Sequence, residues 1–355
     1  MICRRYKLAK IKKEKMKEAS HKAIVNGLSP KQAKKVVREN ENLDLIDDDV
    51  AKIMLCPDIE HIKTHFLPPK KHTRRNAASP LQILYGSIIG DIIGSRFEFS
   101  EHQPPTELFT DSCRYTDDTI LSIATAKAVV KNPDNPDFRK EYIDAFTKHP
   151  DAGYGFAFMQ WAKGEDVDNT HGYGSCANGS AMRISWIPAY YKTVEEVIEH
   201  SIQSAVVTHN HIEGVKCAVV FAVCVWMALN GYSKQDVLKY CESHYLYNPK
   251  DKELLVNKDN LYDLSENELV LPKIISKNSM FCNYAVPFVV RCFAETNSYE
   301  ACIRKILDGF GDSDTLCAMA GGLCCAYYEY TGFGDIAILK KYKVIDMLPK
   351  CLLKK

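Results

Sequence analysis

The sequence predicts an all-α protein, with a single multi-helix domain over residues 79–340. Three observations lead there. From Ser79 onward Gly and Ala recur inside apolar stretches, as in Asp314-Thr315-Leu316-Cys317-Ala318-Met319-Ala320-Gly321-Gly322-Leu323, and such small residues let helix backbones approach closely. The apolar–polar alternation of half-buried strands is absent, so loops separate the apolar stretches. No repeat of solenoid length occurs.

Ahead of this domain, residues 1–78 read as a basic extension, partly helical or disordered. Residues 1–20 are basic and poor in apolar side chains, and 21–66 alternate charge with modest helical periodicity. Pro68-Pro69-Lys70-Lys71-His72-Thr73-Arg74-Arg75-Asn76 mixes prolines with a charge run and reads as an exposed linker. A solvated arm is the simpler account of the basic start; binding of phosphates or a partner, or an address, is the sharper one.

Helices are then expected at 80–94, 118–131, 138–148, 155–162, 178–191, 194–206, 212–229, 234–242, 284–294, 298–307 and 315–330. The first places Gly86, Gly90 and Gly94 on one face at i, i+4 and i+8, a spacing for tight helix packing. It is not a nucleotide fingerprint, because no strand precedes it. Asp91 within that run reads as a buried, hydrogen-bonded structural acid. The longest uninterrupted apolar run, Cys217 to Leu229, reads as a buried helix too short to cross a bilayer. Residues 341–355 form a basic tail.

Charge is unevenly divided. Nineteen Lys and Arg against ten Asp and Glu over residues 1–80 hold about +9, and the total of +1 leaves about −8 for the rest. No nucleic acid is therefore expected at the helical domain, and no membrane. Fourteen cysteines, many inside apolar helical runs (Cys217, Cys224, Cys317, Cys324, Cys325), act as small buried hydrophobes, with no zinc-ligand spacing. With no secretory pattern after Met1, a reducing, cytoplasmic setting is expected, and a monomer.

Two acidic helix starts carry the chemistry. Arg114-Tyr115-Thr116-Asp117-Asp118-Thr119 opens one helix, and Gly309-Phe310-Gly311-Asp312-Ser313-Asp314-Thr315 opens another about 200 residues later. One Thr or Asp at a helix start is ordinary capping. Two aspartates flanked by hydroxyls exceed that need. If the two starts converge, they supply four carboxylates and two or more hydroxyls, an all-oxygen set suited to Mg²⁺ or Mn²⁺ rather than zinc. Crowded carboxylates raise one another's pKa unless a cation balances them. Glu98 sits where the first helix breaks into the segment with Pro104 and Pro105, on a loop that could open and close over a site.

Five stretches in this order resemble the ADP-ribosylglycohydrolases, which include the dinitrogenase-reductase-activating glycohydrolases. They are Gly90-Asp91-Ile92-Ile93-Gly94-Ser95-Arg96-Phe97-Glu98-Phe99; Thr116-Asp117-Asp118-Thr119; Tyr173-Gly174-Ser175-Cys176-Ala177-Asn178-Gly179-Ser180-Ala181-Met182-Arg183; Thr208-His209-Asn210-His211; and Gly311-Asp312-Ser313-Asp314-Thr315. The resemblance implies an orthogonal all-α fold around two Mg²⁺ or Mn²⁺ ions. By it, Thr116, Asp117 and Asp118 ligate from one side, and Asp312, Asp314 and Thr315 from the other. Glu98 matches the family's gating glutamate. Gly174, Ser175 and Asn178 match the loop that lines ADP-ribose, and His209 a histidine of the same pocket. Departures from the family pattern are Phe310 before Gly311, Ala177 before Asn178, and Cys282-Asn283 where a Gln-Gly pair is common. None removes a metal ligand.

The function so implied is hydrolysis at ribose C1 of an ADP-ribosylated protein or an ADP-ribose-containing small molecule, through an oxocarbenium-like transition state. Asp117 or Asp312 is the candidate acceptor of the water's proton, and Glu98 a candidate aid to the leaving group. A non-catalytic ADP-ribose-binding module and a two-metal phosphoesterase are the alternatives, the second disfavoured by the acidity of the metal-bearing part.

Overall fold

A computed structural model describes residues 65–70, 77–100, 105–164, 171–245, 279–309, 311–350 and 352. The expectations for residues 1–64 and 71–76, and Phe310, lie outside the described residues. Those described are helical and contain no strand, only one isolated bridge between Ala177 and Phe281.

Two helices form the spine. Helix α1 (Pro80–Gly94) starts where Ser79 caps it: the Ser79 hydroxyl accepts the Gln82 N–H, and the Gln82 side chain accepts the Ser79 N–H. It runs antiparallel to the helix Ser313–Tyr328, with Gly86 against Gly321, Gly90 against Cys317 and Gly94 against Ser313. A Cβ on any of these three glycines would come within 3.0 Å of the opposing backbone. The spacing of 86, 90 and 94 is therefore a backbone-to-backbone seam, as expected. It brings the last turn of α1 alongside the first turn of the partner helix. Tyr299 locks the other end by donating its hydroxyl to the Gly86 carbonyl over 2.6 Å.

Around the spine follow α2 (Asp117–Lys131), α3 (Phe138–Lys148), α4 (Phe156–Lys163), α5 (Gly179–Met182), α6 (Trp186–Tyr190), α7 (Val194–Val206), α8 (Ile212–Leu229), α9 (Lys234–Tyr245), α10 (Cys282–Glu295), α11 (Tyr299–Leu307), α12 (Ser313–Tyr328, the spine helix) and α13 (Asp335–Lys341). The helix expected over 178–191 is two, α5 and α6. Pro188 explains the break: it cannot donate a backbone hydrogen bond, and restarting the helix at Trp186 puts it in the first turn, where none is needed. Helix α13 was not expected; only Leu339 in it is buried, so it shows little apolar periodicity. From the stretch beyond 341, Val344, Leu348 and Leu352 are buried in the main core.

Helix α8 packs against α5, α7, α9, α10 and α12. Val215, Val219, Phe221, Val223 and Met227 in it are fully buried, each contributing roughly 1.5–3 kcal/mol. The reading of this stretch as too short to cross a bilayer is corrected: the helix reaches back to Ile212, and its 18 residues are long and apolar enough to span by length and composition alone. Most of the helix is buried within the protein. The described cysteines are free thiols, and all but Cys176 are buried.

Candidate metal centre

The seam between α1 and α12 and the arrival of α2 bring three helix ends together. Asp91 from α1, Asp118 from α2 and Asp314 from α12 each place a carboxylate oxygen within 4.8 Å of the other two. Glu98, Asp312 and Asp314 form a second group on the same criterion. Asp314 belongs to both, so the two groups are adjacent. The helix starts at 116–119 and 311–315 converge, and Thr315 bridges them by donating its hydroxyl to Asp118 Oδ2 over 3.0 Å.

Asp91 is the saturated member. Its Oδ1 accepts the Thr116 hydroxyl at 2.8 Å, and its Oδ2 accepts the Thr116 N–H at 2.9 Å, the Thr119 N–H at 3.1 Å and the Thr119 hydroxyl at 2.5 Å. It is the buried structural acid expected, and it also lines the cluster. By taking the Thr116 hydroxyl hydrogen, it turns the lone pairs of that oxygen away from α1. One of them caps α2 by accepting the Asp118 N–H at 3.3 Å.

Asp118 is the deficient member. Its Oδ2 accepts from Thr315, but its Oδ1 is sealed from water with no hydrogen-bond partner. A buried carboxylate oxygen without a donor costs several kcal/mol unless a cation answers it. Among the described residues, no Lys or Arg lies within ion-pair distance of Asp91, Asp118, Asp312 or Asp314. Burial, and then mutual repulsion, holds the Asp117, Asp118 and Asp314 carboxyls well above the usual range. Burial lifts Asp91 to about 6 against the pull of its hydrogen bonds. This all-oxygen set of orphaned and crowded carboxylates suits a hard divalent cation.

Asp117 is half-buried, its N–H donating to the Ala152 carbonyl at 2.8 Å. It falls outside both close groups but acts electrostatically with Asp91, Asp312 and Glu98. Glu98 lies in the turn after α1, half-buried, its carboxyl raised first by burial and then by Asp312, with Arg114 opposing. Its neighbour Phe99 has φ of 47°, unusual for a bulky residue, and donates its N–H to the Gly311 carbonyl at 2.8 Å. Gly311 itself, at φ 146°, leads into Asp312. That bond pins the glutamate turn to the start of α12.

The glycine-rich loop meets the acids through Asn178. Its Nδ2 donates to Asp312 Oδ2 at 2.7 Å and to the Ser279 carbonyl at 2.9 Å, while the Ser279 hydroxyl accepts the Asp312 N–H at 2.9 Å. Gly174, at φ 73°, donates its N–H to Asn210 Oδ1 at 2.6 Å. The Ser175 hydroxyl accepts the Ala177 N–H at 3.2 Å. His209 is buried beneath this loop, its Nδ1 2.7 Å from the Thr208 hydroxyl, and a Cβ on Gly179 would stand 3.2 Å from its Cε1 and Nε2. Burial and Arg183 push the His209 pKa well below its ordinary value. Ser279 belongs to no motif and nothing in the sequence marks it. Arg183 and Thr208 lie within the motifs but carry no expected role.

Comparison with known proteins agrees with this geometry. The ADP-ribosylglycohydrolase family model matches residues 76–349. The chain belongs to that family. Human ADP-ribosylhydrolase ARH3 is 25% identical over 304 residues, covering 69% of this chain and 84% of that protein. The putative ADP-ribosyl glycohydrolase L543 of Acanthamoeba polyphaga mimivirus is 22% identical over 294 residues, covering 70% and 86%. A solved structure titled ADP-ribosylglycohydrolase-related protein complex shares the fold, with a TM-score of 0.53 at 19% identity over 75% of this chain and 97% of that one.

Proposed function

We propose that this protein hydrolyses the bond at ribose C1 of an ADP-ribosylated protein or of an ADP-ribose-containing small molecule, releasing ADP-ribose. The observation that carries the proposal is the pair of three-carboxylate groups sharing Asp314, one of which holds the partnerless Asp118 Oδ1. Family membership supplies the substrate class.

Two Mg²⁺ or Mn²⁺ ions fit the donor set, with Thr116, Asp117, Asp118, Asp312, Asp314 and Thr315 as ligands. Such ions supply Lewis-acid polarisation of ribose hydroxyls and of the attacking water. Asp91 holds the Thr116 hydroxyl with its hydrogen turned inward, leaving for a cation the oxygen lone pair that does not cap α2. Asp312 has one oxygen engaged by Asn178, and it or Asp117 accepts the proton of the attacking water. Glu98, the partly exposed acid of the second group, gates the site or assists the leaving group. Gly174, Ser175, Asn178 and His209 line the ADP-ribose.

The test is release of ADP-ribose from Arg-linked, Ser-linked and nucleic-acid-linked ADP-ribose, O-acetyl-ADP-ribose and poly(ADP-ribose), under Mg²⁺ and Mn²⁺ titration. Metal-dependent release from at least one is expected. Binding of ADP-ribose with no release from any would make the protein a binding module instead.

A further inference from the structure

Behind the glycine-rich loop a sealed polar chain ends at His209, and its members Arg183 and Thr208 have no role in the reaction above. Arg183, 1% exposed at the end of α5, stacks its guanidinium over the Tyr142 ring at 4.2 Å. Its Nη2 donates to the Ser204 carbonyl at 3.0 Å and to the Thr208 hydroxyl oxygen at 2.8 Å. Thr208 is fully buried, and its hydroxyl is 2.7 Å from His209 Nδ1.

Proton counting orders this chain. A guanidinium only donates, so Thr208 Oγ1 must accept from Arg183. A threonine hydroxyl has one hydrogen, and that hydrogen points along the short contact to His209. Nδ1 is then an acceptor, and the ring hydrogen sits on Nε2. The opposite tautomer would aim two donors at one oxygen and leave the Thr208 hydrogen unpaired in a sealed interior.

We propose that Arg183, acting through Thr208, holds His209 as the neutral Nε2–H tautomer, so that the ring offers the ligand loop a hydrogen-bond donor and never a base. The Nε2 edge lies toward Gly179, where a Cβ would stand 3.2 Å from the ring. The group it suits is an acceptor oxygen of a nucleotide ligand. That last step rests on the ADP-ribose reading above; the tautomer does not. Arg183 and Thr208 are positioning residues in this scheme.

A long-range ¹H–¹⁵N spectrum of the ¹⁵N-labelled full chain tests it, with His209 assigned by the signals lost in His209→Gln. An unprotonated Nδ1 and a protonated Nε2 are expected in the unaltered protein. Thr208→Val, which keeps the shape and removes the hydroxyl, should mix the tautomers, and Thr208→Ser should restore the single form. In ADP-ribose titrations His209→Gln, whose amide nitrogen stands near Nε2, should bind roughly tenfold more tightly than His209→Asn, about one hydrogen bond's difference. An Nδ1–H ring in the unaltered protein, or a Thr208→Val spectrum with the tautomer unchanged, overturns the relay. The expected tautomer in a protein that takes no ADP-ribose upholds the relay and overturns the functional reading alone.

Discussion

Thr315 donates its hydroxyl to Asp118 Oδ2 across 3.0 Å, although 197 residues separate them. This one bond joins the two acidic helix starts. It also leaves Asp118 Oδ1 as the oxygen with nothing to accept from. The predictions below follow from that imbalance and from the seam that sets it up.

Asp314 takes part in both carboxylate groups, whereas Asp118 and Glu98 take part in one each. Asp314→Asn should therefore abolish ion binding altogether, while Asp118→Asn should leave one ion bound. Calorimetric titration with Mn²⁺ reads the stoichiometry. Asp118→Ala and Asp314→Ala should each abolish ADP-ribose release with the helical signature intact; full activity in either would refute the site.

In the proposed centre Asp91 would support a cation mostly by orienting Thr116 and Thr119. Outer partners of this kind are worth roughly 10–100-fold in metal affinity. Asp91→Asn should weaken Mn²⁺ by about that factor without changing the number of ions. An unchanged affinity would show that Thr116 needs no support.

Cations that bind only the folded state stabilise it by mass action. At a hundred times the dissociation constant, one site adds about 2.7 kcal/mol. Mg²⁺ should raise Tm and a chelator should reverse the rise, and neither should move Tm in Asp314→Asn.

Gly90→Ala would push a methyl into the Cys317 carbonyl, backbone that has nowhere to retreat. Overpacking of this sort costs roughly 1–3 kcal/mol, and a shifted α1 would carry Asp91 away from Asp118. Tm and Mn²⁺ affinity should fall together. Gly155→Ala, with nothing within 4 Å of the added atom, is the control without overpacking.

His244 packs among His65, Phe66 and Tyr240, and burial, with help from His65 and Lys216, lowers its pKa from 6.5 to about 4. Below 6.5 the unfolded chain takes up a proton that the folded one refuses. Its contribution is thus intact above about 6.5 and is lost as pH falls to about 4. Thermal melts across that window should show a shallower acid loss in His244→Phe than in the unaltered protein.

Much of the fold was legible along the chain, because its signals are local. Gly86, Gly90 and Gly94 announce a close seam by spacing alone. Pro188 marks the break between α5 and α6, a signal the reading of one helix over 178–191 does not take up. Helix α13 left no trace, since a helix that buries one leucine has no periodic face.

By itself the sequence determined which residues could bear chemistry: acids and hydroxyls at two helix starts, and a glycine-rich stretch ending in Asn178. Only the tertiary structure decided how they divide the work. Asp91 became a saturated support, Asp118 an acid with a spare oxygen, Asp314 the shared member, and Ser279 and Thr208 the partners of Asp312 and His209. The reason is physical. Donor and acceptor types are properties of a residue, but which of its lone pairs is already taken depends on neighbours the fold brings together, 25 positions apart for Asp91 and Thr116 and 197 for Asp118 and Thr315.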